Sequence, residues 1–171
     1  MARARAVVGL LVLSACSIVR AGPPAGAPGE ATVVRPVDGD TVVVRVNGAE
    51  ESVRFIGIDT PESVSQQRPV ECFGPEAKHR TAELLPAGTR VRLERDIEAR
   101  DAYDRLLAYI TRVDDGVLVN LLLVAEGYAE SAPFAPNLAH QAELDRAQAD
   151  AQANQRGLWP ACGGTDVVLG R

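Results

Sequence analysis

An α+β fold with a mainly β core, in which five strands close into a small barrel and about three helices are added, is what the amino-acid sequence predicts. Three observations carry that expectation. Short runs rich in β-branched or alternating apolar residues recur at Thr32 to Val37, Thr41 to Val46, Ser52 to Ile58, Thr89 to Glu94 and Leu106 to Val113. Asn47-Gly48, the strongest short hairpin signal, separates the second run from the third. One helical pattern falls between the third and fourth runs and others follow the fifth, which is the element order of an OB-type barrel with helical additions.

The chain ahead of the barrel has a different character. Met1 to Arg5 carries Arg3 and Arg5, and an apolar run from Ala6 to Ala15 follows, broken by Ser14. That is the pattern of a secretory signal, residues 1–15, and it is too short to span a bilayer. It ends in Leu13-Ser14-Ala15-Cys16, which resembles a bacterial lipobox, whose cysteine takes a lipid and becomes the mature amino terminus. A plain signal peptide with an incidental cysteine is the other reading. On both, the protein is expected to be exported, as a cell-envelope lipoprotein or in secreted form, touching the membrane only through the lipid. Residues 16–30 read as a flexible tether, because Ala21 to Gly29 is built of Ala, Gly and Pro alone and has nothing to bury. The domain is expected over 31–162, enough chain for one core and too little for two, with a tail over 163–171. It is expected to be a monomer.

In chain order, Thr32 to Val37 is ended by Asp38-Gly39, and the next two runs make a meander through the Asn47-Gly48 turn. In the third run Arg54, Ile56 and Ile58 share one side and Val53, Phe55 and Gly57 the other, so apolar groups on both sides fit a barrel strand. Ser63 to Glu71 is polar, with Arg68 its one basic residue, and reads as a mobile surface loop. Gly74-Pro75 opens a helix to Leu85, with the proline in the first turn where its missing N–H costs nothing, and Pro86-Ala87-Gly88 ends it. Two strands follow, and Asp114-Asp115-Gly116 turns the chain. Val117 to Glu126 reads as a short buried helix with Gly127 as its C-cap. A last helix is expected from Asn137 to Gln155, with Leu138, Ala142, Leu144, Ala147 and Ala151 on its apolar side and Gly157 as its cap. Trp159 is expected to pack on the barrel.

The formal net charge is −5, and loss of Arg3 and Arg5 with the signal makes it −7. Acidity argues against indiscriminate adhesion to nucleic acid, which needs a local excess of Lys and Arg. It leaves room for a small basic cleft aimed at one phosphate. Of the three cysteines, Cys16 belongs to the signal, so Cys72 and Cys162 remain as a pair in an oxidising compartment, where a disulfide is the default. No Cys-x-x-Cys or Cys/His cluster supports zinc. His79 and His140 are expected on helices that face solvent, without a ligand role.

The chemistry centres on Asp59-Thr60-Pro61-Glu62, two carboxylates three positions apart around a proline that fixes their backbone. Alone, the tetrapeptide also reads as a helix start, with Asp as N-cap and Glu completing a capping box. Arg54 alone also reads as a rim arginine on an edge strand. Their company alters both readings: Asp38-Gly39-Asp40-Thr41 lies upstream and Asp101-Ala102-Tyr103-Asp104-Arg105 downstream. Acids and arginines in this order describe a metal-assisted phosphodiester site, since hydrolysis near neutral pH needs an electrophile, a positioned water and charge neutralisation.

Val37-Asp38-Gly39-Asp40-Thr41-Val42, Arg54 to Glu62, Gly74-Pro75-Glu76-Ala77, Asp101 to Ile110, Val119-Asn120 and Gly157-Leu158-Trp159 form an ordered set. Through that set, the chain from about Thr32 to Trp159 resembles the thermonuclease, or staphylococcal-nuclease-like, family. The resemblance implies a calcium-dependent nuclease that cuts the 5′-side P–O bond of RNA or of single-stranded or unwound DNA and leaves 3′-phosphate ends. Carried over residue by residue, Asp40 and Asp59 would give carboxylate oxygens to calcium and Thr60 its backbone carbonyl, hard donors for a hard cation. Glu62 would orient or deprotonate the attacking water. Arg54 and Arg105 would hold the scissile phosphate, and Tyr103 would lie beside it as a hydroxyl donor.

Two departures stand out. Asp104 occupies a position where the family commonly has glycine, and brings a negative charge next to Arg105, although Asp enters the left-handed region more readily than most residues. Ser131-Ala132-Pro133-Phe134 stands where the best-studied members have tyrosines that stack on a base, which leaves Phe134 as the aromatic candidate and predicts poorer base contacts. A second reading, of another class, is a barrel of the same fold that has lost catalysis and binds nucleic acid. Such a module has no use for Glu62 beside a cation pair.

Overall fold

The computed structural model describes residues 29–63 and 69–168. The expected signal segment, Cys16, nearly all of the tether and Arg68 lie outside them. The chain runs through β1 (Glu30–Asp38), β2 (Thr41–Val46), β3 (Ala49–Phe55), β4 (Ile58–Asp59), α1 (Gly74–Leu84), β5 (Arg90–Glu94) and β6 (Leu106–Arg112). It continues with α2 (Val119–Ala125), β7 (Glu130–Ser131), α3 (Gln141–Ala153) and α4 (Leu158–Ala161). Five strands close a barrel in the order β1-β2-β3-β6-β5, with β5 pairing back on β1, while β4 and β7 form a separate two-stranded sheet. The mainly β core with added helices is as expected, α4 being a short helix beyond the three.

Barrel closure follows from local chemistry. Asn47 and Gly48 both have positive φ, 50° and 83°, as a two-residue hairpin turn of the twist-matched kind requires. In β1 the register against β2 shifts between Val33 and Arg35 and again between Pro36 and Asp38. Such irregularities bend a strand, and they give Pro36 a place where its missing N–H is tolerated. The bent β1 pairs with β2 along one edge and with β5 along the other. β3 and β6 run parallel, and the inward side chains Val33, Val42, Val44, Val53, Phe55, Val91 and Leu107 are all buried in one core.

Two expected elements differ in extent. The run Ser52 to Ile58 is not one strand: β3 stops at Phe55, and Gly57, at φ 76°, turns the chain so that Ile58 pairs with Ser131 instead. A side chain at Gly57 would meet Leu144 Cδ1 of α3 at 2.6 Å, so the turn is also where that helix lands. The last helix begins at Gln141 rather than Asn137, because buried Asn137 is used as a tie: Glu98 N–H donates to its Oδ1 at 2.7 Å, and its Nδ2 donates to Glu98 O at 3.0 Å. Leu138 and Ala142 are consequently exposed, and Leu144 and Ala151 carry the buried face. Helix α3 also ends before Gly157, with the left-handed residue taken by Gln155; Gly157 instead packs its backbone on that of Gly127.

The remaining expectations meet specific contacts. After α2, Tyr128 N–H donates to Leu123 O and Gly127 N–H to Val124 O, with Gly127 at φ 77°, the bond pattern of a Schellman C-cap. Cys72 and Cys162 are joined in a disulfide across 90 residues of sequence, a closure worth on the order of 4 kcal/mol by chain entropy. In α4 it is Leu158 that is fully buried, while Trp159 is half-buried. His79 is exposed, but His140 is not a solvent-facing helix residue: it precedes α3, its ring lies edge-on to Tyr109 at 4.5 Å, and Glu94 and Glu143 flank it. Burial alone would lower its pKa, and the two carboxylates outweigh that and raise it.

Asn120, wholly buried at the start of α2, closes the gap left where β3 ends. Its Oδ1 accepts from Ile110 N–H and its Nδ2 donates to Ile56 O, each at 2.9 Å. Asn120→Ala is expected to leave both backbone groups buried without partners and to cost about 2–5 kcal/mol, read as a lower urea midpoint at unchanged slope.

Candidate active site

The turn between β1 and β2, the end of β3 and the chain after β4 meet at one end of the barrel. Thr41 pairs with Arg54 across β2 and β3, which places Asp40 beside the guanidinium. Arg54 Nη1 lies against Asp40 Oδ2 as an ion pair without good hydrogen-bond geometry, and Nη2 donates to Asp59 Oδ1 at 2.7 Å. Arg54 is thereby shared between two carboxylates that sequence places 19 positions apart. Burial lowers its pKa, and the Asp59 carboxylate works in the opposite direction. Asp40 is itself buried, its Oδ2 accepting from Thr60 N–H at 3.2 Å and Thr60 Oγ1 at 3.0 Å and its Oδ1 from Thr41 Oγ1 at 2.9 Å. Gly39 permits this approach, since a Cβ there would meet Thr60 Oγ1 at 2.6 Å. Thr81 of α1 donates to Gly39 O and fixes the same turn from behind.

Glu62 is placed by its backbone. Its N–H donates to Glu71 Oε2 at 2.8 Å, and Glu71 N–H donates back to Glu62 O at 2.9 Å. A side chain at Gly74 would collide with Glu62 O, so the start of α1 presses directly on this residue. Ser63 Oγ donates to Asp38 Oδ1. The stretch expected as a mobile surface loop is therefore pinned at both described ends: Ser63 and Glu71 are buried, and Glu71 does structural work that no sequence pattern signals.

Arg105 comes from the loop before β6. Asp101, with a side chain 9% exposed, accepts Arg105 Nε on Oδ2 at 2.6 Å, and on Oδ1 the N–H groups of Tyr103 at 2.9 Å and Arg105 at 3.0 Å. Burial pushes the Asp101 pKa up, and the three donors outweigh it and hold the carboxyl below its ordinary value. Asp104 sits at φ 63°, so the backbone takes the left-handed turn that glycine would take. Its side chain is 88% exposed and faces Arg100, whose guanidinium also grips Glu51 and Asp104 O. The substitution leaves the Arg105 loop in place and turns the extra charge outward.

These groups line one cleft of about 600 Å³: Asp40, Arg54, Asp59, Thr60, Glu62, Tyr103 and Arg105, together with Asp38, Glu71 and Asp166. Every expected catalytic, substrate and metal residue is thus brought together. Tyr103 stands exposed at the rim, its ring 5.5 Å from the Arg105 guanidinium carbon. Phe134, the aromatic candidate for base contact, does not line the cleft. Asp101 and Glu71 were not anticipated. A signal existed for the first alone, an Asp two residues before Tyr103 and four before Arg105, the spacing of a side chain that caps its own turn.

The donor set suits a hard divalent cation. Asp40 and Asp59 offer carboxylate oxygens on one side of the cleft, and carboxylates outnumber guanidinium groups around it. Among the described residues no group of three His, Cys, Asp or Glu is arranged for a metal.

Because Asp101 is held below its ordinary pKa, its support of the loop is present above about pH 4 and lost as pH falls through the depressed value. In an NMR acid titration the amides of Tyr103 and Arg105 are expected to move together at a pH below that of exposed aspartates. In Asp101→Asn that transition is expected to vanish.

The family model described as staphylococcal nuclease homologue matches residues 52–161. The thermonuclease of Staphylococcus intermedius is 39% identical over 127 residues, covering 74% of this chain and 74% of that protein. The thermonuclease of Staphylococcus hyicus is 37% identical over 127 residues, 74% of this chain and 73% of its own. Endonuclease YncB of Bacillus subtilis is 34% identical over 134 residues, 77% of this chain and 62% of its own. The family match takes in β3 from Ser52 onward, both arginines of the cleft and all four helices, and the chain belongs to the staphylococcal nuclease homologue family.

Proposed function

We propose that this protein is a nuclease that hydrolyses phosphodiester bonds of DNA or RNA with calcium as cofactor, leaving 3′-phosphate ends. The observation that carries the reading is Arg54 held between Asp40 and Asp59 in a cleft that also contains Glu62 and Arg105. Two relatives called thermonuclease and one called endonuclease support the reaction class.

Bound between Asp40, Asp59 and the Thr60 carbonyl, calcium would supply a positive charge against which phosphoryl oxygens build theirs. The chain's own residues do the rest. Arg105, turned toward the cleft by Asp101, and Arg54, already withdrawn from bulk water, offer planar donor forks that match two phosphoryl oxygens. Their charge counts for more in this partly buried site than in water. Glu62, its backbone clamped by Glu71, accepts a proton from the water that attacks phosphorus. The P–O bond to the 5′ oxygen breaks, that oxygen takes a proton from solvent water and leaves as a hydroxyl, and the phosphate stays on the 3′ side. Tyr103 meets the strand at the rim.

We also propose that the mature protein is exported and tethered through Cys16, on the strength of the amino-terminal pattern. Cys16→Ser is expected to move the protein from the membrane fraction to the medium with the domain's activity intact; a wild-type protein that is wholly soluble and begins elsewhere would exclude the anchor.

For the chemistry, Glu62→Gln is expected to lower turnover about 100-fold or more, since it keeps shape and loses the base. Arg105→Ala is expected to lose a comparable or larger factor through lost stabilisation of phosphoryl charge. Calcium affinity, measured by calorimetry, is expected to fall much more for Asp40→Ala than for Arg105→Ala, because only Asp40 is a ligand. Near-wild-type hydrolysis by both Glu62→Gln and Arg105→Ala would place the chemistry elsewhere.

A further inference from the structure

Beyond the disulfide, the described chain returns to the active cleft. Thr165 N–H donates to Glu130 Oε1, Cys72 N–H donates to Val167 O at 2.6 Å, and Val168 bridges antiparallel to Glu71. The Cys72–Cys162 link fixes the start of this segment beside the same residues. Residues 163–168 are thus strapped against the chain that returns from Glu62, and Asp166 lines the cleft with Arg54 and Arg105.

Asp166 differs from the acids around it. Asp40 and Asp59 face Arg54, Asp38 accepts from Gly39 N–H and Ser63, and Glu71 accepts from Glu62 N–H. Asp166 is exposed and, among the described residues, has no hydrogen-bond or ion-pair partner. Its φ of 59° is a conformation that few side chains enter readily, imposed here by ties on both sides of it. A carboxylate without a partner among the described residues, in a cleft that must admit phosphates, opposes part of that binding.

We propose that Asp166 is a specificity-determining residue, whose charge, strapped into the cleft by residues 163–168, repels phosphates that flank the scissile one and so disfavours long polyanionic strands relative to short substrates. The proposal rests on the nuclease reading above. A single charge near a water-facing phosphate changes binding by about two- to fivefold at low salt, and by little once the screening length falls to about 3 Å near 1 M salt.

The test is steady-state hydrolysis by the full chain of a dinucleotide with one phosphodiester and of long single-stranded DNA, at low and high salt. Wild type is compared with Asp166→Asn and Asp166→Gly. Asn and Gly both accept the left-handed turn, so the charge is lost and the backbone kept. Both variants are expected to lower KM for the long strand about two- to fivefold at low salt, by a larger factor than the dinucleotide KM, with the difference gone at high salt. An unchanged or higher KM for the long strand in either variant, with wild type active, overturns the role of Asp166 and leaves the nuclease reading standing. A wild type that hydrolyses neither substrate overturns that reading and this one together.

Discussion

The pairing of Arg54 with Asp40 and Asp59 is the interaction on which the site depends. A guanidinium withdrawn from water loses hydration that only close carboxylates and donors' partners restore, and removing one partner from such a pair leaves an uncompensated charge. The barrel exists around this requirement. Asp40 lies in the turn just before β2, Arg54 is next to last in β3 and Asp59 closes β4, so three segments must be in register before the charges meet. Once they do, the same end of the barrel carries negative oxygens on one side and a planar cation between them. That is an arrangement suited to exchange, in which carboxylates are drawn to a divalent cation and the guanidinium to phosphate.

Around that pairing, precision comes from backbone contacts. Gly39 admits Thr60, Gly74 admits Glu62, and Gly127 and Gly157 touch where α2 meets α4. Side chains with no direct chemical task complete the positions: Asp101 gathers two N–H groups and the Arg105 guanidinium, Glu71 holds Glu62, and Asn120 ties the residue after β3 to the middle of β6. The cross-link at Cys72 is joined to this shell, being next in sequence to Glu71. The disulfide therefore bears on the site as well as on stability.

Much of this was legible in the sequence because the chemistry fixes residue types. A phosphodiester site needs carboxylates and guanidinium groups in a few combinations, and Asp40, Arg54, Asp59, Glu62 and Arg105 stood out without any structure. The hairpin at Asn47-Gly48 and the cap at Gly127 were equally readable, since positive φ leaves a local mark. Asp104 was readable as a question and became an answer only when Arg100 was found beside it. What stayed hidden depends on distant partners. Gly57 breaks the run from Ser52 to Ile58 because Ile58 pairs with distant Ser131; Asn137 stays out of α3 because it is tied to Glu98, 39 residues away. Glu71 looked like one polar loop residue among many because its task is to satisfy a backbone N–H, and that is visible only after folding.

On the proposed reading, the carboxylates and arginines of the cleft hydrolyse nucleic acid with calcium as cofactor. Digestion of single-stranded DNA and RNA by the full-length protein, freed of contaminating nuclease, tests it directly when calcium is chelated and then restored and the product ends are mapped. Cleavage is expected to stop on chelation, resume with calcium and leave 3′-phosphate and 5′-hydroxyl ends. Cleavage indifferent to chelation, 5′-phosphate ends, or no cleavage of either polymer would contradict it.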